Sequence, residues 1–374
     1  MSEGHGVVDH GPGGGGLDIA FFGSSLVSSW WNGAATYYRG IIRGLAGLGH
    51  RVTFYEPVAY ERHEHRDIPD PSWARVVIYQ PVDEAAVRAV VERARTADVV
   101  IKTSGVGAYD DVLEDAVHGL SAPLRILWDV DAPATLARLE GDPGDPLHQL
   151  VGGFDAVFTY GGGVPVERRY LALGARRVDV VYNALDPTTH HPVDPDPRFD
   201  ADFALLANRL PDREERVEEF FLRAAALLPG RRFLLGGNGW DDKALPHNVR
   251  AVGHVGTADH NAFNCSALGV LNVTRDSMAA NGWSPAIRVF EAAGAGACLV
   301  TDAWDGVEDF LEPGLEVLVA ADGTEVAAHV GDLDPRRARR LGDAARERVL
   351  AAHTYDHRAA QVDALLRCGL GSGR

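Results

Sequence analysis

Residues 283–302, WSPAIRVFEAAGAGACLVTD, hold side chains suited to chemistry on an anionic, hydroxyl-bearing ligand. Ser284 is a favoured N-cap and Pro285 a favoured first helical residue, so the pattern predicts a helix opening at 285. The start of such a helix presents unpaired N–H groups and the positive end of the peptide dipoles, which attract anions. Arg288, one turn in, adds a full charge. Glu291, seven residues past Ser284, stands about two turns from the cap. A carboxylate there can accept hydrogen bonds from vicinal hydroxyls such as those of a ribose. A capped helix with a solvated or salt-bridged Glu291 is an equal reading of these residues alone.

Asp129-Val130-Asp131 is the second chemical signal. Paired carboxylates of this form can hold a divalent ion on a diphosphate. Because the pair ends an expected strand in the first half of the chain, we read Asp129 and Asp131 as cleft residues that bind a hydroxyl or act as general base. The alternative is N-capping by Asp131 ahead of Pro133. In GGNGW, 236–240, Gly237 and Asn238 follow a strand end, and the glycines permit a base or ribose to approach the backbone. Trp30 and Trp31 are equally suited to stacking on a sugar face and to packing. His190-His191 lies in a Pro-rich stretch and reads as loop rather than metal site. The spacing of His254 and His260 assigns them no role, and Lys243 reads as solvated.

The elements that must position these residues alternate. LDIAFF (17–22) reads as a strand, GSSLVSSWWNGAA (23–35) as the loop at its carboxyl edge, and TYYRGIIRGLAGLGH as a helix stopping at Gly49. RVTFYEP, ADVVIKTS, LRILWDVD, FDAVFTYGGG and RVDVVYNAL continue as strands, with helices at 83–97, 109–119 and around VERRYLALG. Strands alternating with helices imply a doubly wound parallel sheet. DPTTHHPVDPDPRFD, 186–200, breaks the pattern with four Pro and reads as a linker. The alternation then restarts at DFALLAN. The expected architecture is α/β, with two doubly wound Rossmann-like domains facing a cleft. The boundaries are a flexible tail at 1–16, a first domain at 17–185, the linker at 186–200, a second domain at 201–352, and a final helix within 353–374. That helix has Ala360, Val362, Leu365 and Leu366 available to dock on the first domain.

Composition narrows the partners. With 53 Asp and Glu against 36 Lys and Arg, the net charge is −17, which argues against a duplex nucleic acid. It leaves room for a small phosphorylated ligand, which needs only a few local donors. Cys265, Cys298 and Cys368 have no metal or redox spacing. No apolar run is long enough to span a bilayer. MSEGHGVVDHGPGGGG has neither the charged nor the apolar region of a secretory signal, so a cytoplasmic location is expected.

FEAAGAGACLVTD, followed by DGVEDFLEPGLEVLVA, resembles the C-terminal signature of the group 1 glycosyltransferases of the GT-B fold, and SPAIRVFEAAGAG resembles their CgeB-like branch. The similarity extends back through ANRLPDREERVEEFF, FLLGGNGW, VGHVGTADHNAFNCS and LNVTRDSM. The resemblance implies a nucleotide-sugar held by the second domain, with Glu291 on the ribose and the backbone of Ser284, Pro285, Ala286 and Ile287 near the diphosphate or sugar. It implies that Arg209 and Arg213 neutralise the diphosphate; the alternative for Arg213 is pairing with acids of the following helix. Asn32 and Gly33 resemble the family's Gly-rich first loop, which approaches donor phosphates. The acceptor, whether a glycan, a protein or a small molecule, falls to the first domain. Many retaining members carry a second Glu eight positions before the ribose Glu. Here that position is Trp283, which leaves the donor sugar and the stereochemical outcome open. The expected activity is metal-independent glycosyl transfer with no resident cofactor. The alternatives are a nucleotide-sugar epimerase of the same fold and an inactive nucleotide- or glycan-binding protein.

Overall fold

The computed structural model describes residues 15–30 and 32–371, so most of the 1–16 tail, and Trp31, lie outside the described residues. Short apolar runs become parallel strands because both of their faces are covered. Val99–Thr103, for example, is buried at all five positions. The first sheet contains β1 (Asp18–Phe22), β2 (Arg51–Pro57), β3 (Arg75–Tyr79), β4 (Val99–Thr103), β5 (Leu124–Asp129), β6 (Ala156–Thr159) and β7 (Val178–Val180). Its order is β3-β2-β1-β4-β5-β6-β7, and every pairing is parallel. The second sheet contains β8 (Ala201–Leu206), β9 (Phe233–Gly236), β10 (Val249–Gly253), β11 (Ala267–Asn272), β12 (Leu299–Asp302) and β13 (Leu318–Ala320), in the order β10-β9-β8-β11-β12-β13. β3, RVVIY, is an edge strand missing from the strands expected above, and only Tyr79 in it is buried.

Both sheets reverse their winding beside their first strand, at β1/β4 and at β8/β11. In such sheets the loops after the carboxyl ends diverge at the reversal and leave a crevice for ligand. Apolar clusters cover both faces of each sheet. Among the buried charges of the first domain, Lys102 of β4 is fully buried, and Asp110 and Glu114 meet its Nζ at 2.8 and 2.7 Å. Those two carboxylates are what make the burial tolerable.

The connection at 186–200 is held by specific contacts. The Asp186 carboxylate accepts from the Thr188 amide at 2.9 Å and pairs with Arg43 at 2.8 Å. Phe199 is buried in the second domain's core. The chain crosses back beside this connection: the Leu185 amide donates to the His353 carbonyl at 2.8 Å, and the Tyr355 amide to the Leu185 carbonyl at 3.0 Å. The last helix, Tyr355–Gly371, then lies on the helix Ala35–Gly47 of the first domain. It buries Tyr355, Ala359, Val362 and Leu366, whereas Ala360 is exposed and Leu365 half-buried. Starting the helix at Tyr355 sets that stripe. Gly40 and Gly44 permit the close approach, since a Cβ on them would stand 2.2 Å from Tyr355 Cγ and 2.5 Å from Ala359 Cβ. Gly44→Leu is therefore expected to destabilise the protein by about 1–3 kcal/mol through overpacking. Denaturant unfolding checks this, with Gly47→Leu, a position open to solvent, as the control.

Candidate active site

A cavity of about 760 Å³ lies between the two sheets. Its first-domain wall includes Asn32, Gly33, Asp129 and Asp131, and its second-domain wall includes Arg275 and Ile287. These residues all follow carboxyl ends of strands, so the two crevices face each other. The domains touch directly along 281–285. The Gly162 amide donates to the Trp283 carbonyl at 2.7 Å, Arg169 to Asn281 Oδ1 at 2.9 Å, and Asn183 Nδ2 to the Pro285 carbonyl at 3.3 Å.

The helix expected from 285 begins later, at Ile287, with Ala286 as N-cap and no side-chain cap. Ser284 is not the cap; its hydroxyl donates to the Gly282 carbonyl at 2.8 Å. The shift follows from a backbone reversal in which Gly282 and Trp283 both have positive φ, +66° and +41°. Trp283 is held there by hydrogen bonds to Asp305 and Gly162, and by its indole N–H donating to Asp309 at 2.7 Å. Ala286 and Ile287 line the cavity, so an uncapped helix start opens into it.

Arg213 and Arg288 stand out among the cations of this region. Arg213 Nε and Arg288 Nη1 are buried with no hydrogen-bond partner, and neither side chain forms an ion pair among the described residues. Burial pushes both guanidinium pKa values down, and for Arg213 the neighbouring Arg288 and Arg275 push the same way. Three positive groups thus crowd one place. The nearby acids are engaged elsewhere: Asp212 accepts from Arg275 at 2.5 Å, and Asp302 from Arg216 at 2.5 Å. The structure reverses the roles expected of the basic pair. Arg209 pairs with Glu214 and Asp242, both at 2.7 Å, on the outer side, and Glu214 also holds Lys243 at 2.9 Å. Glu214, one of the helix acids offered as an alternative partner for Arg213, pairs with Arg209 instead.

Asp129 and Asp131 part company. Asp129 is fully buried. Its Oδ1 accepts from Ser104, Thr135 and the Asp131 amide at 2.6–3.0 Å, and its Oδ2 from the Tyr170 hydroxyl. Those four contacts engage both carboxylate oxygens in ordering the loop, in contrast to the free base expected of Asp129. Asp131 is the N-cap residue of the helix Ala132–Gly141, although no cap bond of normal geometry forms. Its carboxylate also faces Arg275 across the cleft at 3.9 Å. Burial raises its pKa, and Arg275 and the Ala134 amide partly oppose the shift.

Asn32 lies in the cavity wall, but its side chain organises its own loop. It accepts from Ser24 and donates to the Ser25 and Ser28 carbonyls at 2.8–3.0 Å. Gly33 beside it is open, with nothing near a notional Cβ. The 236–240 loop supports the fold rather than the cavity. A Cβ on Gly237, whose φ is +119°, would stand 2.1 Å from the Ala207 carbonyl oxygen. The Asn238 amide donates to Asn208 at 2.9 Å. Trp30 stacks on His65 at 4.1 Å. Glu291 is buried, and its Oε1 is 3.6 Å from Nε2 of His190, the residue read as loop; His260 joins them. Arg275, next to Asp212 and facing Asp131, had no signal in the sequence beyond its type.

Residues 213–364 match a protein family described as glycosyl transferase-like. That segment contains Arg213, Arg275, Arg288 and Glu291. The chain is a GT-B protein with a glycosyl transferase-like C-terminal domain. Its whole length superposes on solved glycosyltransferases. Against the sucrose-phosphate synthase of Thermosynechococcus elongatus the TM-score is 0.69 at 15% identity, covering 95% of this chain and 100% of that one. Against Anabaena HepE in complex with UDP and glucose it is 0.68 at 13%, covering 94% and 100%. An alpha-glucosyltransferase in complex with UDP-glucose and DNA containing an abasic site gives 0.67 at 11%, also covering 94% and 100%. No curated protein matches the sequence. Among the described residues, no helix of this chain is long and apolar enough to cross a membrane.

A cation buried without a counter-ion costs folding free energy. Arg213→Met keeps the apolar stem and removes the charge, so it is expected to raise stability by about 1 kcal/mol in low salt. Urea unfolding without ligand checks this, and a loss of similar size would mark Arg213 as structural.

Proposed function

We propose that the protein transfers a sugar from a nucleotide-sugar donor to a hydroxyl-bearing acceptor bound in the cleft. The observation that carries this reading is the pair Arg213 and Arg288, which form no ion pair among the described residues, Glu291 only favouring the charge of Arg288 from a distance, and which sit beside Arg275 near the uncapped start of the helix Ile287–Gly294. A diphosphate supplies the missing counter-charge. As the sugar–phosphate bond breaks, negative charge grows on the leaving oxygens, and fixed cations together with helix amides stabilise it without reorganisation. Glu291 accepts from the ribose hydroxyls. Two solved neighbours hold UDP or UDP-glucose, which makes UDP-sugars the first donors to try.

The acceptor lies against the first-domain wall. Asp131 is the general base: it takes the proton of the attacking hydroxyl while the oxygen bonds to the anomeric carbon and the diphosphate departs. The arginines carry the charge that a metal carries in other transferases, so no divalent ion is needed at the diphosphate. Trp283 offers no carboxylate to the donor sugar, and its carbonyl is committed to Gly162 across the cleft.

A panel of UDP-, GDP-, dTDP-, ADP- and CDP-sugars, each with and without candidate acceptors, tests the activity. Turnover that requires acceptor is expected. Isomerised donor without acceptor would mark an epimerase, and binding without turnover a binding protein. Mg²⁺ or Mn²⁺ should not raise the rate.

By calorimetry, Arg213→Met is expected to weaken binding of the preferred nucleoside diphosphate by about 1.5–3 kcal/mol, the scale of a hydrogen bond to a charged group. Arg209→Ala should leave it nearly unchanged, and equal losses in both variants would remove the distinction drawn between them.

The raised pKa of Asp131 gives the pH dependence its sign. A base is active only when deprotonated, so kcat/KM should fall with acidification at a pH above the ordinary aspartate value of about 3.9. Asp131→Asn should lose that acid limb together with about 10²–10⁴-fold in rate. A pH–rate profile of both proteins decides it.

A further inference from the structure

His190 and His260 have no part in the transfer chemistry above, yet they meet Glu291 at one buried point. His190 comes from the inter-domain connection, His260 from the start of the helix His260–Ser266, and Glu291 from the helix Ile287–Gly294. One ligand-capable atom from each lies within 4.8 Å of the other two. His190 is only 4% exposed, and its Nε2 has no hydrogen-bond partner. At 3.6 Å, the contact from that nitrogen to Glu291 Oε1 is too long for a hydrogen bond. Nδ1 of His260 is likewise buried without a partner. Two orphaned imidazole nitrogens beside a buried carboxylate carry a desolvation cost that nothing in the chain repays.

The remaining ring contacts show how these nitrogens are aimed. His190 Nδ1 stands 3.0 Å from the Thr189 hydroxyl, which leaves its Nε2 as the open nitrogen. A histidine held at one ring nitrogen with the other left open is the arrangement found around metal-bound histidines. We infer that His190, His260 and Glu291 bind a divalent transition-metal ion of the zinc class. Two imidazoles and a carboxylate suit zinc, with a fourth position left for water. They do not suit Mg²⁺ or Ca²⁺, which favour all-oxygen shells. The ion ties the connection to the second domain at the helix that opens into the cleft. Glu291 is shared with the ribose assignment, with Oε1 toward His190 and the other oxygen left for the nucleotide. The metal site does not depend on that assignment.

The test uses full-length protein stripped with a chelator and free of nucleotide. It is titrated with Zn²⁺ against a chromophoric chelator, and separately with Co²⁺ followed by visible absorption. One equivalent of Zn²⁺ is expected, together with intense Co²⁺ bands of low coordination number. Excess Mg²⁺ should not displace the ion. His190→Ala and His260→Ala should each weaken binding by at least about tenfold, and Thr189→Val by a smaller factor. Circular dichroism verifies folding; if His190→Ala fails to fold, His260→Ala and Thr189→Val carry the comparison. Absence of stoichiometric binding overturns the site, as does unchanged affinity in the variants, which would place the ion elsewhere. Nucleotide binding to the stripped protein and its Glu291→Ala variant reads the ribose assignment separately.

Discussion

A guanidinium taken out of water without an anion is unfavourable, and this site holds two of them against a third. The fold sustains that by committing the surrounding acids to other cations. Asp212 is bound to Arg275, Asp302 to Arg216, and Glu214 to Arg209 and Lys243. A carboxylate turned toward Arg213 would neutralise that charge. Asp302 shows how tightly the arrangement is held. It is fully buried at the end of β12 and also accepts from the Thr274 amide and hydroxyl, which fixes the loop that carries Arg275. The arginine cluster is therefore a property of a whole network, spread over the loops after β8, β11 and β12.

The second constraint is mechanical. Two domains that share a ligand must be joined in a way that preserves their relative placement. Here the chain crosses at Leu185 and again at His353–Tyr355, and the crossings hydrogen-bond to each other. The last helix then docks on the first domain through a stripe at Tyr355, Ala359, Val362 and Leu366. Between the crossings and the cavity, residues 281–285 touch the first domain at three hydrogen bonds. Trp283 lies at the centre of that contact with a left-handed backbone, a conformation that costs of order 1–3 kcal/mol for a bulky residue. Its bonds to Asp305, Gly162 and Asp309 hold it there. Where the resemblance would lead one to expect a second Glu, this chain places an inter-domain contact.

Much of the architecture is legible in the sequence because it follows from local pattern. Apolar runs of strand length, helical periodicity and the Pro-rich break at 186–200 are short-range signals, and they lead to two doubly wound sheets. The resemblance carried by 283–302 points to the domain type for the same reason: its residues are contiguous. The edge strand β3, RVVIY, carries the same kind of apolar run, and only its exposed position at the sheet edge is decided by the tertiary structure. Ser284 is misread as a cap because the residues that displace the helix start, Gly162 and Asp305, are remote in the chain.

What only the tertiary structure decides is which side chains are spent and which remain free. Arg209 and Arg213 are alike in sequence, four residues apart, with the same acids downstream. The folded chain gives Glu214 to Arg209 and leaves Arg213 beside Arg275 and Arg288. Asp129 and Asp131 are alike as well. Packing surrounds the first with donors and leaves the second facing the cleft. His190, His260 and Glu291 are separated by 70 and 31 residues, so no spacing rule could have joined them. Charge type is written in the sequence, but the partner of a charge is a matter of distance, and distances between remote segments exist only once the sheets are packed.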